Sequence, residues 1–171
     1  MTLDPIDYQL IGLLQDHGRM SQIDLAAAVG LSQPAVAERI RKLEQQGIIS
    51  GFTALIDARK LGLDVTAFIG VGIEHPKYNV RFSKEIHALP EVLECHHVTG
   101  ADSYLLKIKT ESTESLDRLI SEKLRRIPGV KTTRTTIVMS SVKEEVRVRP
   151  APQTESAENN GAARSRKNSQ S

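Results

Sequence analysis

At 171 residues and a formal net charge of +2, the chain suffices for one large domain or two small ones, and its charges nearly cancel, so no broad basic surface signals nucleic acid. No apolar run approaches the roughly 20 residues that span a bilayer, Met1 to Pro5 lack a charged-then-apolar leader, and the single Cys95 excludes an internal disulfide framework. A cytoplasmic protein of two small domains with no membrane partner is expected, and any function on nucleic acid has to rest on local arrangement.

The first expected domain is 1–62. Asp4-Pro5-Ile6-Asp7 opens a helix with an Asp N-cap, a proline in the first turn and an acidic side chain at the positive end of the dipole. Ile6, Leu10, Leu13 and Leu14 recur at helical spacing until Gly18. Ser21 starts a second helix, with Asp24 three residues later in the manner of a capping box, and Gly30 ends it in the left-handed conformation. Ser32 begins a third, with Pro34 in its first turn and Val36, Ile40 and Leu43 on one face.

Two helices joined by so short a glycine turn cannot lie antiparallel. The second projects outward, so Ser21 to Gln46 reads as a helix-turn-helix. The face opposite the core stripe carries Gln33, Ala35, Ala37, Glu38, Arg41 and Lys42. Small alanines admit close approach to base edges, Gln pairs with adenine, and Arg or Lys pairs with guanine or phosphate. Ile48 to Ile56 reads as a hairpin wing turned at Ser50-Gly51. The competing reading is a structural three-helix bundle in which Arg39, Arg41 and Lys42 form a solvated face.

Asp4-x-x-Asp7, Gly18-Arg19-x-Ser21, Asp24-Leu25-Ala26, Gly30-Leu31-Ser32, Val36-x-x-Arg39-Ile40-x-x-Leu43-Glu44 and Gly47-Ile48-Ile49-x-Gly51 together resemble the Lrp/AsnC, or feast/famine, family of bacterial and archaeal regulators. The resemblance implies that Ser32 to Gln46 reads double-stranded DNA, with Arg39 on the arginine usual in the family. The candidate DNA-contacting set is therefore Ser32, Gln33, Pro34, Ala35, Ala37, Glu38, Arg39, Arg41 and Lys42.

After the linker Asp57 to Gly62, a second domain is expected over 63–146. Val65 to Ile73 alternates as a strand, a helix follows from about Asn79 to Leu89, and strands are expected at Leu93 to Thr99 and Tyr104 to Thr110. A helix over Ser112 to Arg126, with Leu116, Leu119, Ile120, Lys123 and Leu124 on its face, then leads to a last strand through Ser140. Leu89-Pro90-Glu91-Val92 and Ile127-Pro128-Gly129-Val130 are an internal echo of two related halves. The order βαββαβ is ferredoxin-like, so the fold class is α+β, a winged helix-turn-helix followed by a ferredoxin-like module. Such a module leaves one sheet face uncovered, and an apolar face of that kind needs a partner, so a homodimer is expected.

The family resemblance extends over this half and implies a dimerising effector domain, with assembly into larger rings and an amino acid held between subunits. Val98 to Tyr104 occupies the place of the family's effector loop. Many members have an acidic residue directly before the aromatic one, whereas here Ser103 stands there and Asp102 one place earlier. Asp102 is suited to an α-amino group and the Gly100 backbone to a carboxylate. The candidate effector residues are Gly100, Ala101, Asp102, Ser103, Tyr104, Thr133 and Thr135. The bland alternative is a tight Gly-Asp turn with no ligand.

Cys95-His96-His97 does not make a metal site, because successive strand residues face opposite ways and two ligands fall short of a zinc set. His17, His75 and His87 stand apart, and no nucleophile elbow, phosphate loop or HExxH helix is present. Neither catalysis, cofactor nor metal is expected. Two alternatives come from resemblance: a siroheme-decarboxylase-like enzyme, since those enzymes share the two-domain build and use histidines of the second domain, or a ligand-sensing protein that keeps the fold without DNA binding. The tail 147–171 is polar and expected to be disordered. Its Arg164-Ser165-Arg166-Lys167 is read as a solvated end, with phosphate contact as the alternative.

Overall fold

The computed structural model describes residues 3–148. Their packing divides them into two units, 3–53 together with 145–148, and 54–144. The boundary therefore falls at Thr53 and Ala54, ahead of the expected linker, and residues 145–148 join the first unit. From Arg149 onward the expected tail lies outside the described residues.

The first unit contains α1 (Pro5–Asp16), α2 (Gln22–Val29) and α3 (Gln33–Gln45). Asp4 and Asp7 cap each other's backbone, Asp7 N–H donating to Asp4 Oδ1 at 2.9 Å and Asp4 N–H to Asp7 Oδ2 at 3.0 Å. Ser21 accepts from Asp24 N–H as expected, but the reciprocal half of that box is missing because the Asp24 carboxylate takes the Ser21 hydroxyl proton at 2.7 Å. Gly30, at φ 70°, supplies the left-handed cap that makes the α2–α3 turn so short. Leu10, Leu25, Ala26 and Val36 form the buried centre, with Ile6, Leu13, Val29 and Ile40 packed around it. Each fully buried leucine contributes roughly 1.5–3 kcal/mol of transfer free energy.

The chain returns to this unit after 144. Gln15 Nε2 donates to the Val148 carbonyl at 3.0 Å and Gln15 Oε1 accepts from Val148 N–H at 2.8 Å, an amide side chain imitating one rung of a strand ladder. Arg147 forms an ion pair with Asp16 beside it.

The expected hairpin over Ile48 to Ile56 does not form. Residues 50–57 run without strand structure. The reason lies in α3, whose end consumes the donors a ladder would need: Ile48 and Ile49 both donate their N–H groups to the Leu43 carbonyl, at 2.9 and 3.2 Å. Phe52, Leu55 and Ile56 are left exposed in this extended stretch.

In the second unit the linker is an ordered 3-10 turn, Ala58–Leu61, capped by the Asp57 carboxylate and closed by Gly62 at φ 80°. Then come β1 (Val65–Ile73), α4 (Asn79–His87), β2 (Val92–His97), β3 (Tyr104–Thr110), α5 (Thr113–Arg118) and β4 (Val130–Ile137). The sheet order is β2-β3-β1-β4 with every neighbouring pair antiparallel, which is the ferredoxin-like arrangement. Ala67, Ile69 and Val71 of β1 and Leu106 and Ile108 of β3 point to the helix-covered face, where they meet Phe82, Ile86, Leu116, Leu119 and Leu124.

The second helix is not uniform. After α5 the chain makes a π turn over Leu119–Lys123 and a 3-10 turn over Leu124–Arg126. A regular helix would bring Lys123 onto the core face, as the sequence spacing suggested. The wider turn instead buries Leu119 and Leu124, five residues apart, and leaves Lys123 half-exposed, where its Nζ meets Glu91 Oε1 at 2.5 Å. Among the described residues no helix is long and apolar enough to cross a membrane.

Candidate nucleic-acid interface and effector site

α3 presents its first turn and one flank to solvent. Ser32, Gln33, Pro34, Glu38, Arg41 and Lys42 are exposed, Ala35 and Ala37 half-buried, and Val36 and Leu43 buried beneath. Ser32 occupies the N-cap without a side-chain capping bond. The helix start therefore offers a hydroxyl and uncapped N–H groups, the arrangement that suits a phosphate.

The charged part of this face is already internally paired. Glu38 receives a bidentate pair from Arg41, Nε to Oε2 at 2.8 Å and Nη2 to Oε1 at 2.6 Å, while Lys42 Nζ lies 3.7 Å away. The Arg41 hydrogen bond holds the Glu38 carboxyl below its ordinary range, and the same bond raises the guanidinium. Any phosphate approaching Arg41 competes with Glu38 for it.

Arg39 departs from the sequence expectation. The family resemblance puts it with the DNA-contacting residues, but its Nη1 donates to Asp4 Oδ2 and Asp7 Oδ1 at 2.7 Å each. Its side chain is 28% exposed and is turned back on the start of α1. A guanidinium committed to two carboxylates, one of them buried, does not belong to the outward face. The spacing Val36, Arg39, Ile40, Leu43 carried the signal, because it puts Arg39 on the edge of the core stripe.

The expected effector residues do not gather at one point of the described chain. Strand register puts Tyr104, Val71 and Thr133 in one row and Leu106, Ile69 and Thr135 in another, both on the helix-covered face. Tyr104 packs its ring against Phe82 and His97, with centroids 4.7 and 5.0 Å away. Burial raises its phenol, with Cys95 adding a smaller push. Thr133 Oγ1 accepts from Arg125 Nε at 3.1 Å, beside a cleft of about 410 Å³ lined by Arg125, Val130, Lys131, Thr132 and Thr133.

Asp102 lies on the other face. Its carboxylate rests on Gly70, where a Cβ would come within 2.2 Å of Oδ2, and its Oδ1 accepts from Arg134 Nη2 at 3.3 Å. Arg134 is paired with Gly70 in the register, so the sequence reading missed a cation that faces the acidic group directly.

Ser103 is used structurally. Its N–H donates to the Val71 carbonyl at 2.9 Å, and its hydroxyl accepts from Ile73 N–H at 3.1 Å, where β1 shifts register against β4. Gly100, at φ 125°, and exposed Ala101 form the loop tip.

The open sheet face is mixed rather than apolar, contrary to expectation. Phe68 and Leu105 lie between two ionic groups, Asp102–Arg134 and Lys107 with Glu94 and Glu144 at 3.3 and 2.6 Å. The pair with Glu144 is the main cause holding the Lys107 ammonium above its usual range. His96 on this face contacts Glu94 at 3.2 Å, whereas Cys95 and His97 belong to the opposite one. Among the described residues no three His, Cys, Asp or Glu side chains converge as a metal set.

Comparison with known proteins follows the same division. Residues 3–50 match the winged helix-turn-helix DNA-binding family, and residues 66–148 match the Lrp/AsnC ligand binding domain. The chain belongs to the Lrp/AsnC family. It is 38% identical over 148 residues to the leucine-responsive regulatory protein of Escherichia coli K12, covering 85% of this chain and 90% of that protein. Among solved structures, Bacillus subtilis LrpC superposes with a TM-score of 0.75 at 34% identity, over 85% of this chain and all of that one. A Neisseria meningitidis transcriptional regulator, solved as its L-Met complex, superposes with a TM-score of 0.82 at 28% identity, over 86% and 97%. This Lrp/AsnC member is a DNA-binding transcription regulator with a ligand-binding domain.

Proposed function

We propose that the protein works as a cytoplasmic homodimer, without catalysis of its own, in which two copies of α3 read a pseudo-palindromic operator and an amino acid bound to the second domain modulates that reading. The observation that carries the DNA half is the flank of α3 beyond the Gly30 turn: exposed Ser32, Gln33, Pro34, Glu38, Arg41 and Lys42, with the small, half-buried Ala35 and Ala37 between them. Gln33 reads a base edge, while Arg41, released from Glu38, engages phosphate or guanine.

Dimerisation is supported by the open sheet face, where Phe68 is 36% exposed among charges of both signs. Such a face can meet a two-fold copy of itself, positive groups against negative ones. Leu55 and Ile56, exposed at the start of the second unit, offer a further apolar surface to a second copy.

For the effector, the solved L-Met complex of the Neisseria relative favours an amino acid. Gly100, Ala101 and Asp102 remain the proposed loop contacts, Asp102 receiving an ammonium group and Arg134 standing ready for a carboxylate. Tyr104, Thr133 and Thr135 lie on the helix-covered face and do not belong to this ligand site in a dimer joined by the open faces.

The test selects a duplex from a random pool with the wild-type protein and then footprints it across a salt series, with and without a panel of amino acids that includes L-methionine and L-leucine. Arg41→Ala is expected to weaken binding and lower the salt slope by about one phosphate contact, and Gln33→Ala to change base preference. Unaltered footprints for both variants overturn the placement of α3, and a footprint indifferent to every amino acid overturns the effector.

A further inference from the structure

The first unit holds an ionic knot that the DNA-reading face does not account for. Asp7 is the one buried ionisable side chain among the described residues, with only 4% of its side chain exposed. A carboxylate in that position has to be paired, and its partner is Arg39, the seventh residue of the thirteen in α3. The same Arg39 Nη1 also reaches Asp4, and Asp4 and Asp7 are locked to each other by their reciprocal caps. Two short bonds thus join the start of α1 to the middle of α3, and the two reciprocal caps hold their acceptors in place. α2 packs against both of these helices more extensively than they pack against each other, and beside the apolar core that Leu10 and Val36 share, the knot is a directional polar link between them.

Arg39 is flanked in sequence by Glu38 and followed two residues later by Arg41, both on the outward face. A rotation of α3 about its axis carries Gln33, Glu38 and Arg41 with it, and that rotation is what a guanidinium fixed between two carboxylates resists. A planar guanidinium sets direction as well as distance, which an apolar contact at the same place does not.

We propose that Arg39 is a positioning residue for DNA recognition: through Asp7 and Asp4 it fixes the rotation and tilt at which α3 presents its outward face, and it does not itself touch DNA. The proposal rests on the reading of α3 as the DNA-reading helix. It separates two properties that a DNA-contacting arginine would join. Specific recognition depends on correct alignment of α3 and falls when the knot is cut. Sequence-independent attraction depends on the number of phosphates neutralised and stays as it was.

The experiment measures full-length Arg39→Ala, Asp7→Asn and the double variant against the duplex selected by the wild-type protein and against a random duplex of the same length. Each titration is repeated across a salt series, and a thermal melt establishes the folded fraction. Asp7→Asn is nearly isosteric and leaves no unpaired buried charge behind, so it reports even if Arg39→Ala folds poorly. In the double variant neither partner is stranded. The expected result is a loss of about tenfold or more in affinity for the selected duplex in each single variant, a double variant no worse than the weaker single one, random-duplex affinity within about twofold of wild type, and an unchanged salt slope.

A fall of about 0.9 in the salt slope for Arg39→Ala with a harmless Asp7→Asn would mean a direct phosphate contact and overturns the proposal. Lowered melting temperatures with selected-duplex affinity intact in the folded protein overturn it as well, since the knot would then serve stability alone. If Gln33→Ala and Arg41→Ala also leave the footprint unchanged, the reading of α3 has failed, an outcome distinct from the failure of Arg39 alone.

Discussion

Replacing Gly70 by alanine tests whether the Asp102 carboxylate owes its place to a missing side chain. The added Cβ would lie 2.2 Å from Oδ2 and 2.6 Å from Cγ, so reaching ordinary contact at 3.4 Å requires the nearer oxygen to retreat by about 1.2 Å. The loop backbone cannot supply that movement easily, because Ser103 is fastened by Val71, Val98 and Ile73. The Asp102 side chain has to rotate instead, and this breaks its pair with Arg134. Since Arg134 is largely exposed, losing the pair costs about 0–1 kcal/mol. An off-rotamer side chain costs about 0.5–1.5 kcal/mol, while the lost freedom of the unfolded chain on going from Gly to Ala returns about 0.4–1 kcal/mol. The net loss is at most about 2 kcal/mol, and each kcal/mol lowers the midpoint of the second unit by roughly 4–8 °C. Ligand response should suffer far more than stability. The assay is thermal unfolding with and without the amino acid that most raises the wild-type midpoint: Gly70→Ala is expected to lose that ligand-induced rise. Gly72→Ala, whose Cβ meets only the rotatable Thr132 hydroxyl at 2.3 Å, is expected to keep it. A Gly70→Ala protein that retains the full rise refutes the assignment of Asp102 to the effector.

Glu38→Gln removes the internal competitor for Arg41 and Lys42; affinity for a random duplex should rise severalfold and its salt slope steepen by up to about 0.9, read by fluorescence anisotropy across a salt series. Ser103→Ala strands the Ile73 N–H at the β1 irregularity and should cost about 1–3 kcal/mol, measured by denaturant unfolding of the second unit. Leu10→Ala opens a cavity in the small core of the first unit, with an expected loss of about 2–5 kcal/mol that melts this unit before the other. Asp4 is held below the ordinary aspartate range, first by the Asp7 N–H and then by Arg39. Its contribution is therefore complete above about pH 4 and lost as pH falls through the depressed value. Asp4→Asn should flatten the melting profile of the first unit below about pH 4 and leave its slope at neutral pH alone.

The parts of the fold that were legible in sequence are those written in local chemistry. Asp4-Pro5, Ser21 and Gly30 mark helix ends because capping is decided within a few residues, and the Leu-Pro-Glu-Val and Ile-Pro-Gly-Val echo marks the two halves. What escaped is of two kinds, a local competition for donors and partners distant in sequence. The wing fails on the first, because the N–H groups of Ile48 and Ile49 are spent on the Leu43 carbonyl. Thr133 and Thr135 were grouped with Asp102 because the face of an edge strand is known only from its register with β1, and that register is a tertiary fact. Arg39 was assigned from resemblance, though its spacing with Val36 and Leu43 pointed inward.

The π turn after α5 bears on the duplication itself. By rolling Lys123 away from the core, it delivers a cation to Glu91, which sits at the entry to β2 in the other half, where a regular helix would have supplied none. An apparent flaw in one repeat is thus the stitch that fastens it to its twin. Restoring symmetry between the halves by deleting one residue there would improve the helix and undo the seam.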